Sequence, residues 1–323
     1  MTEKMFMQAL GMGIAEEMRI DPKVFLMGED VRASVYGAAS GLHDEFGDER
    51  ILNTPLSENG FFGAAVGAAA VGMRPIVETL TSFMWVGMDQ LVSQAAKMRY
   101  MFGGQATLPV VYRAVMYYGG GSAAHHSDRS YPVFMNIGGL KIVTPGTPAD
   151  AKGLMKTAIR DNDPVAFMEG ELLYNVKGEV PEDDDYVIPL GVADLKNEGS
   201  DVSIITHGKM VHVALQAASK LDKDNISADV LDLRTIRPLD MDAILETVKK
   251  TNRVVYLEEG WPYAGTGAQI VAMIQEEAFD YLDAPILRVT QADVPMPYAK
   301  SLEILAKPSA DRVVEACRNV LYR

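Results

Sequence analysis

Lys141-Ile142-Val143, then Thr147-Pro148-Ala149-Asp150-Ala151-Lys152-Gly153-Leu154-Met155-Lys156-Thr157-Ala158-Ile159-Arg160, then Asp161-Asn162-Asp163-Pro164-Val165-Ala166-Phe167-Met168 form the passage that decides the fold. Its two ends are short β-rich runs, and the middle carries helix signals that agree with one another. Thr147 can cap the first turn, Pro148 presets the first helical φ, and Asp150 lies where the helix dipole favours an anion. Ala151, Leu154, Met155, Ala158 and Ile159 then fall on one face. Asp161 to Pro164 breaks the helix and leads into the next strand. A strand, a helix and a strand in this order predict a parallel pair joined by a crossover.

The same alternation runs outward in both directions. Buried strands are expected at Val24 to Met27, Arg74 to Val77 and Pro109 to Arg113. Between Tyr174 and Ser200 the pattern lapses into a polar, acidic stretch around Glu182-Asp183-Asp184-Asp185, which reads as an interdomain connection. Beyond it, strands are expected at Val202 to Thr206, Ala228 to Leu233 and Arg253 to Leu257, with helices from about Lys209 and about Asp240. The fold class is therefore α/β with two doubly wound domains, residues 1–180 and 201–323, joined by a linker at 181–200. Met1 to Ile20 reads as an amphipathic helix and has the character of neither a secretory signal nor a transit peptide.

A chain of 323 residues is long enough for two cores. Its formal charge of -14 opposes nucleic acid and anionic lipid alike, so neither is expected as a partner. The longest uncharged apolar run, Gly60 to Met73, is too short to span a bilayer, and no membrane segment is expected. Cys317 is the only cysteine, which rules out an intrachain disulfide and makes a reducing cytoplasm the expected setting.

Glycine-rich dinucleotide and P-loop fingerprints are absent, as are metalloprotease and cysteine-cluster patterns, so nicotinamide, nucleoside triphosphate and zinc chemistry lose support. His125 and His126 are adjacent and would point to opposite faces of a strand. The informative segment is Asn53-Thr54-Pro55-Leu56-Ser57-Glu58-Asn59-Gly60-Phe61-Phe62-Gly63. Taken alone, Glu58 is a carboxylate near a helix start. The helix it opens carries Gly63 and Gly67 at four-residue spacing among alanines, a face that another backbone can approach closely.

Several segments together resemble the beta subunits of the thiamine diphosphate-dependent decarboxylase component of 2-oxo acid dehydrogenase complexes. They are Thr54-Pro55-Leu56-Ser57-Glu58 with its Gly/Ala helix, Ala124-His125-His126-Ser127, Asp232-Leu233-Arg234-Thr235-Ile236-Arg237-Pro238, Glu258-Glu259-Gly260-Trp261 and Asp293-Val294-Pro295-Met296-Pro297-Tyr298. The last two look most like pyruvate dehydrogenase. Tyr100-Met101-Phe102-Gly103-Gly104 and Lys177-Gly178-Glu179-Val180-Pro181 are also similar to acetoin dehydrogenase, and branched 2-oxo acid dehydrogenases belong to the same group. The resemblance implies a pyrimidine-binding domain followed by a transketolase C-terminal-like domain.

The resemblance also implies roles. Glu58 matches the carboxylate that hydrogen-bonds the cofactor's pyrimidine nitrogen and so helps it to activate the thiazolium carbon. Phe83 aligns, across a one-residue gap, with an aromatic that packs on the pyrimidine; it reads equally as a core aromatic. His126 matches a histidine that assists transfer of the acyl group to lipoamide, and without the resemblance it reads as a structural donor. A potassium ion is implied at Val110, Ala158, Ile159, Asp161 and Asp163, where the residues alone describe a helix stop with solvated aspartates. The chain has no Gly-Asp-Gly…Asn motif for magnesium and diphosphate. An alpha subunit in an α2β2 heterotetramer is therefore implied to supply it, and a lipoyl acyltransferase core is the implied onward partner. A catalytically silent scaffold is the alternative of a different class. Two departures stand out: Asp128 replaces the usual Gln, and Asn136-Ile137-Gly138-Gly139 replaces the usual His-Ile-Pro-Gly, with altered substrate or lipoyl access as the expected result.

Overall fold

The computed structural model describes residues 1–118 and 120–323. Its first element is a strand, β1 (Thr2–Met5), followed by α1 (Phe6–Ile20), so the helix expected from the first residue starts later. The reason is non-local: β1 pairs antiparallel with β8 (Lys177–Val180), from the far end of the domain.

The main sheet of this half comprises β2 (Val24–Gly28), β3 (Ile51–Asn53), β4 (Arg74–Leu80), β5 (Val111–Met116), β6 (Lys141–Val143) and β7 (Val165–Gly170), parallel in the order β3-β2-β4-β5-β7-β6. Its helices are α2 (Leu42–Phe46), α3 (Glu58–Ala70), α4 (Ala96–Met101), α5 (Tyr131–Met135) and α6 (Pro148–Arg160). The start of α6 is as the sequence predicts, with Thr147 Oγ1 accepting from the Asp150 N–H at 3.2 Å. α6 lies on α1, and the fully buried Lys152 and Lys156 meet Glu16 at 2.8 and 2.6 Å. Arg160 grips Glu17 with two bonds of 2.9 and 2.7 Å.

The second sheet is β9 (Asp194–Asn197), β10 (Val202–Thr206), β11 (Ala228–Asp232), β13 (Val254–Leu257) and β14 (Leu287–Val289), in the order β14-β13-β10-β11-β9 with only β9 antiparallel. Around it run α7 (Met210–Leu221), α8 (Met241–Thr251), α9 (Thr266–Ala278), α10 (Lys300–Ala306) and α11 (Ala310–Val320). Asp240 caps α8 by accepting from the Ala243 N–H at 3.1 Å.

The two halves are stitched together. β12 (Thr235–Arg237) follows β11 in the chain, yet it leaves the second sheet and pairs antiparallel with β6, completing a seven-stranded first sheet. Arg234, just before it, binds Asp150 and Asp194 at 2.8 Å each, and Lys196 meets Asp150 at 3.1 Å. Asp150 thus serves as a buried counter-ion between domains as well as a first-turn anion. The expected linker is not free either. The Pro181 and Asp183 carbonyls accept from Lys152 at 2.9 and 3.2 Å, the Asp184 carbonyl accepts from Lys156, and β9 belongs to the second sheet. One apolar cluster runs from Phe62 and Tyr112 in the first domain to Ile205, Leu231 and Tyr256 in the second. Among the described residues no helix is long and apolar enough to cross a membrane.

Candidate active site at the carboxyl edge of the first sheet

In a parallel sheet the loops leaving the carboxyl ends of the strands are where ligands gather. Here four neighbouring strands deliver the candidate residues to that edge. Glu29 follows β2, Glu58 follows β3, Phe83 follows β4 and His126 follows β5.

The β2 and β3 loops are fixed first. Thr54 N–H donates to the Gly28 carbonyl at 2.9 Å, holding the two strand ends together. A Cβ at Gly28 would stand 2.5 Å from the Glu78 carbonyl oxygen, so only glycine allows this approach of β2 to β4. Pro55, Leu56 and Ser57 are exposed, and Glu58 is the first residue of α3, half-buried. The helix turns Phe61, Phe62, Ala65, Val66 and Ala69 inward. Its other side shows Gly60, Ala64, Gly67 and Ala70 to solvent, and a Cβ at Gly67 would meet no atom within 4 Å. Of the two glycines expected on the close-approach face, Gly67 is thus open, whereas Gly63 lies against Gln90.

Glu29 was not singled out in the sequence. Burial, then the neighbouring Glu58 carboxylate and Asp30, push its carboxyl up to about 7. Its Oε1 is buried with no hydrogen-bond partner among the described residues, as is Thr54 Oγ1 on the facing loop. The Glu-Asp pair after an apolar strand was the available signal, but only the fold brings Glu29 beside Glu58.

The β4 and β5 loops form an aromatic corner. The Phe83 ring lies 5.6 Å from His125 and 5.5 Å from His126, edge to face, and the two imidazoles are 5.2 Å apart. They occupy a turn, not a strand, so both can face Phe83. Asp128 stitches the two loops: its carboxylate accepts from the Trp85 indole at 3.1 Å, its N–H donates to Ser82 Oγ at 3.3 Å, and its carbonyl accepts from Thr81 Oγ1 at 3.3 Å. The departure at Asp128 has a structural use. That at Asn136 to Gly139 follows the end of α5, and a Cβ at Gly139 would fall 1.9 Å from the Ala96 carbonyl oxygen.

The positions expected to hold a cation cluster at the opposite edge, where α6 ends and β5 and β7 begin. The Ile159 and Asp161 carbonyls both accept from one Arg74 guanidinium nitrogen at 2.9 Å. The Val110 carbonyl accepts from the Val165 N–H at 2.9 Å. Ala158 is buried in the last turn of α6. Lys141 meets the Asp161 carboxylate at 2.6 Å and that of Asp163 at 3.3 Å, and Arg99 binds Asp163 at 2.6 Å. A protein cation already stands at the negative end of the helix.

A cleft of about 1030 Å³ lies elsewhere, between the domains, with Trp85, Arg129, Arg237 and Trp261 in its walls. The Glu258-Glu259-Gly260-Trp261 segment has a role there: Glu258 accepts from the N–H groups of Thr266 and Gly267 at 2.9 and 3.0 Å and so anchors α9.

Residues 3–177 match the transketolase pyrimidine binding domain and residues 191–313 the transketolase C-terminal domain. The chain is 49% identical over 318 residues to the pyruvate dehydrogenase E1 component subunit beta of Rickettsia felis, covering 98% of this chain and 97% of that one. It is 46% identical over 326 residues to the acetoin:2,6-dichlorophenolindophenol oxidoreductase subunit beta of Cupriavidus necator, covering 97% and 96%. Among solved structures it is similar to a split gene transketolase described as an inactive beta4 tetramer, with a TM-score of 0.81, 24% identity and 98% of each chain covered.

Proposed function

From its membership of the family of pyruvate dehydrogenase E1 component beta subunits, to which this chain belongs, we propose that it forms one half of a site for oxidative decarboxylation of pyruvate. Pyruvate loses carbon dioxide, and the acetyl group passes to a lipoyl disulfide of the acyltransferase, which is reduced as the thioester forms. The observation that carries this reading is the delivery of Glu29, Glu58, Phe83 and His126 to one edge by four adjacent strands. The recurrence of pyruvate dehydrogenase E1 beta subunits at 45–49% identity favours pyruvate over acetoin.

The residues fit thiamine diphosphate, which supplies a nucleophilic carbon and an electron sink when bound. Glu29 Oε1 and Thr54 Oγ1 are buried without partners among the described residues, beside Glu58, and a ring bearing nitrogen and amino groups would provide them. Glu58 is assigned to hold a proton on the pyrimidine nitrogen, with Glu29 tuned close to neutrality as its neighbour. Phe83 offers an aromatic face, and His126, edge-on to it, is assigned to give a proton at the lipoyl sulfur. Magnesium and the diphosphate are assigned to an alpha subunit, and the open Gly/Ala face of α3 suits a helix of that partner in an α2β2 assembly.

Two outcomes follow. The isolated chain is expected to bind thiamine diphosphate negligibly, and the complex reconstituted with its alpha subunit to turn over pyruvate faster than acetoin or branched 2-oxo acids. Micromolar binding by the lone chain in calorimetry, or preference for acetoin, would sink this reading. Potassium is proposed to share the helix-end carbonyls with Arg74, using their second lone pairs. Because Arg74 and Lys141 already answer much of the negative potential, its effect is expected to be modest. A gain of about 1 kcal/mol, or roughly 2 to 4 °C in melting temperature, is expected in potassium chloride against tetramethylammonium chloride at equal ionic strength. Identical melting curves would remove the ion from the site.

A further inference from the structure

The Asp293-Val294-Pro295-Met296-Pro297-Tyr298 segment and α10 have no part in the site above, yet they seat its histidine loop. Tyr118, the second residue beyond β5, is 2% exposed and packs on Met296 and Ala306. Two residues on, Gly120 and Gly121 have φ of +74° and +85°, a left-handed turn that frees both N–H groups to point the same way. Both donate to one side chain: Gly120 N–H to Glu303 Oε2 at 3.1 Å and Gly121 N–H to Glu303 Oε1 at 2.9 Å. Glu303 is 3% exposed, and Lys307 lies 4.0 Å from its carboxylate. The ground beneath it is tied down in turn, since Ala292 N–H donates to the Ala306 carbonyl at 2.8 Å and both Trp261 and Gln291 donate to the Val294 carbonyl, at 2.8 and 2.9 Å.

We propose that Glu303 is the positioning residue for the histidine loop: a carboxylate of the C-terminal domain that clamps the Gly120-Gly121 turn and so aims His125 and His126 at Phe83. The charge-assisted pair of bonds is the specific element, because a carboxylate offers a separate oxygen to each N–H group, whereas an amide offers one oxygen and turns a donor toward the other. This rests on the acyl-transfer role assigned to His126.

The test uses the assembled α2β2 complex. Glu303→Ala and Glu303→Gln are compared with His126→Ala by hydrogen exchange of the peptide around residues 117–128, by lipoamide acetylation, and by decarboxylation with an artificial acceptor. Glu303→Ala is expected to speed exchange in that peptide alone. It is also expected to cut lipoamide acetylation by about tenfold or more, as a misplacement of the order of 1 Å can, while decarboxylation stays within about twofold. Glu303→Gln, which keeps one acceptor, should fall between. Unchanged exchange in the loop, or an equal loss of both half-reactions with loss of the tetramer, overturns the clamp. Faster exchange in the loop, with no difference between half-reactions in either His126→Ala or Glu303→Ala, keeps the clamp and instead overturns the role given to His126.

Discussion

Glu58→Gln is expected to lower decarboxylation by at least about a hundredfold in a complex that still assembles, the lower range for removing a positioned acid-base group. Glutamine matches the volume of glutamate and leaves α3 its buried face of Phe61, Phe62, Ala65, Val66 and Ala69. What it lacks is an exchangeable carboxyl proton. The Glu29 titration gives a second readout. Its carboxyl is held at about 7 chiefly by burial and then by Glu58, so removing the Glu58 charge should move any pH midpoint due to Glu29 downward. Near-normal decarboxylation in a well-formed tetramer would make Glu58 a helix-start residue and no more.

Arg113→Leu should cost about 3 to 5 kcal/mol, a large share of the roughly 5 to 15 kcal/mol that keeps a typical domain folded. Arg113, on β5, has no solvent exposure; it pairs with Glu78 on β4 and Glu169 on β7 and donates to Tyr174 Oη at 3.1 Å. The sheet register makes this arrangement, setting Glu78 directly across from Arg113 and putting Glu169 on the same face of the next strand. Two carboxylates then share one guanidinium in the interior. Leucine fills part of the volume but leaves both anions without a counter-charge. Adding Glu78→Gln and Glu169→Gln to the leucine variant should recover much of the loss, because the penalty comes mainly from stranded charge. Denaturant unfolding of the assembled complex measures both. A cost under about 1 kcal/mol for the single variant would mean that water reaches the carboxylates.

Elements with local signals were legible in the sequence. The cap at Thr147, the stop at Asp161 to Pro164, and the strands Val24–Gly28, Lys141–Val143 and Val202–Thr206 all follow from turn chemistry and apolar runs. Pro109 to Arg113 was shifted, because the paired register with β4 and β7 begins at Val111, opposite Ile76 and Val165. What stayed hidden depends on a partner far away in the chain. Thr235-Ile236-Arg237 has the composition of a strand, but no local property says which sheet it joins. The acidic stretch at 182–185 looks like a linker until its carbonyls are set against Lys152 and Lys156. Of the candidate site, Glu58, Phe83 and His126 came from the sequence through resemblance; Glu29 and Glu303 required three dimensions, since one is tuned by a loop from the neighbouring strand and the other by a turn in the other domain.

β12 sets an order of events during synthesis. Until residue 237 leaves the ribosome, the first sheet lacks its last strand, β6 keeps a bare edge, and Asp150 lacks Arg234. At about 5–20 residues per second, the wait after β8 is on the order of ten seconds, during which an unpaired strand edge is open to other nascent chains. The N-terminal half therefore cannot mature as an independent unit ahead of the rest.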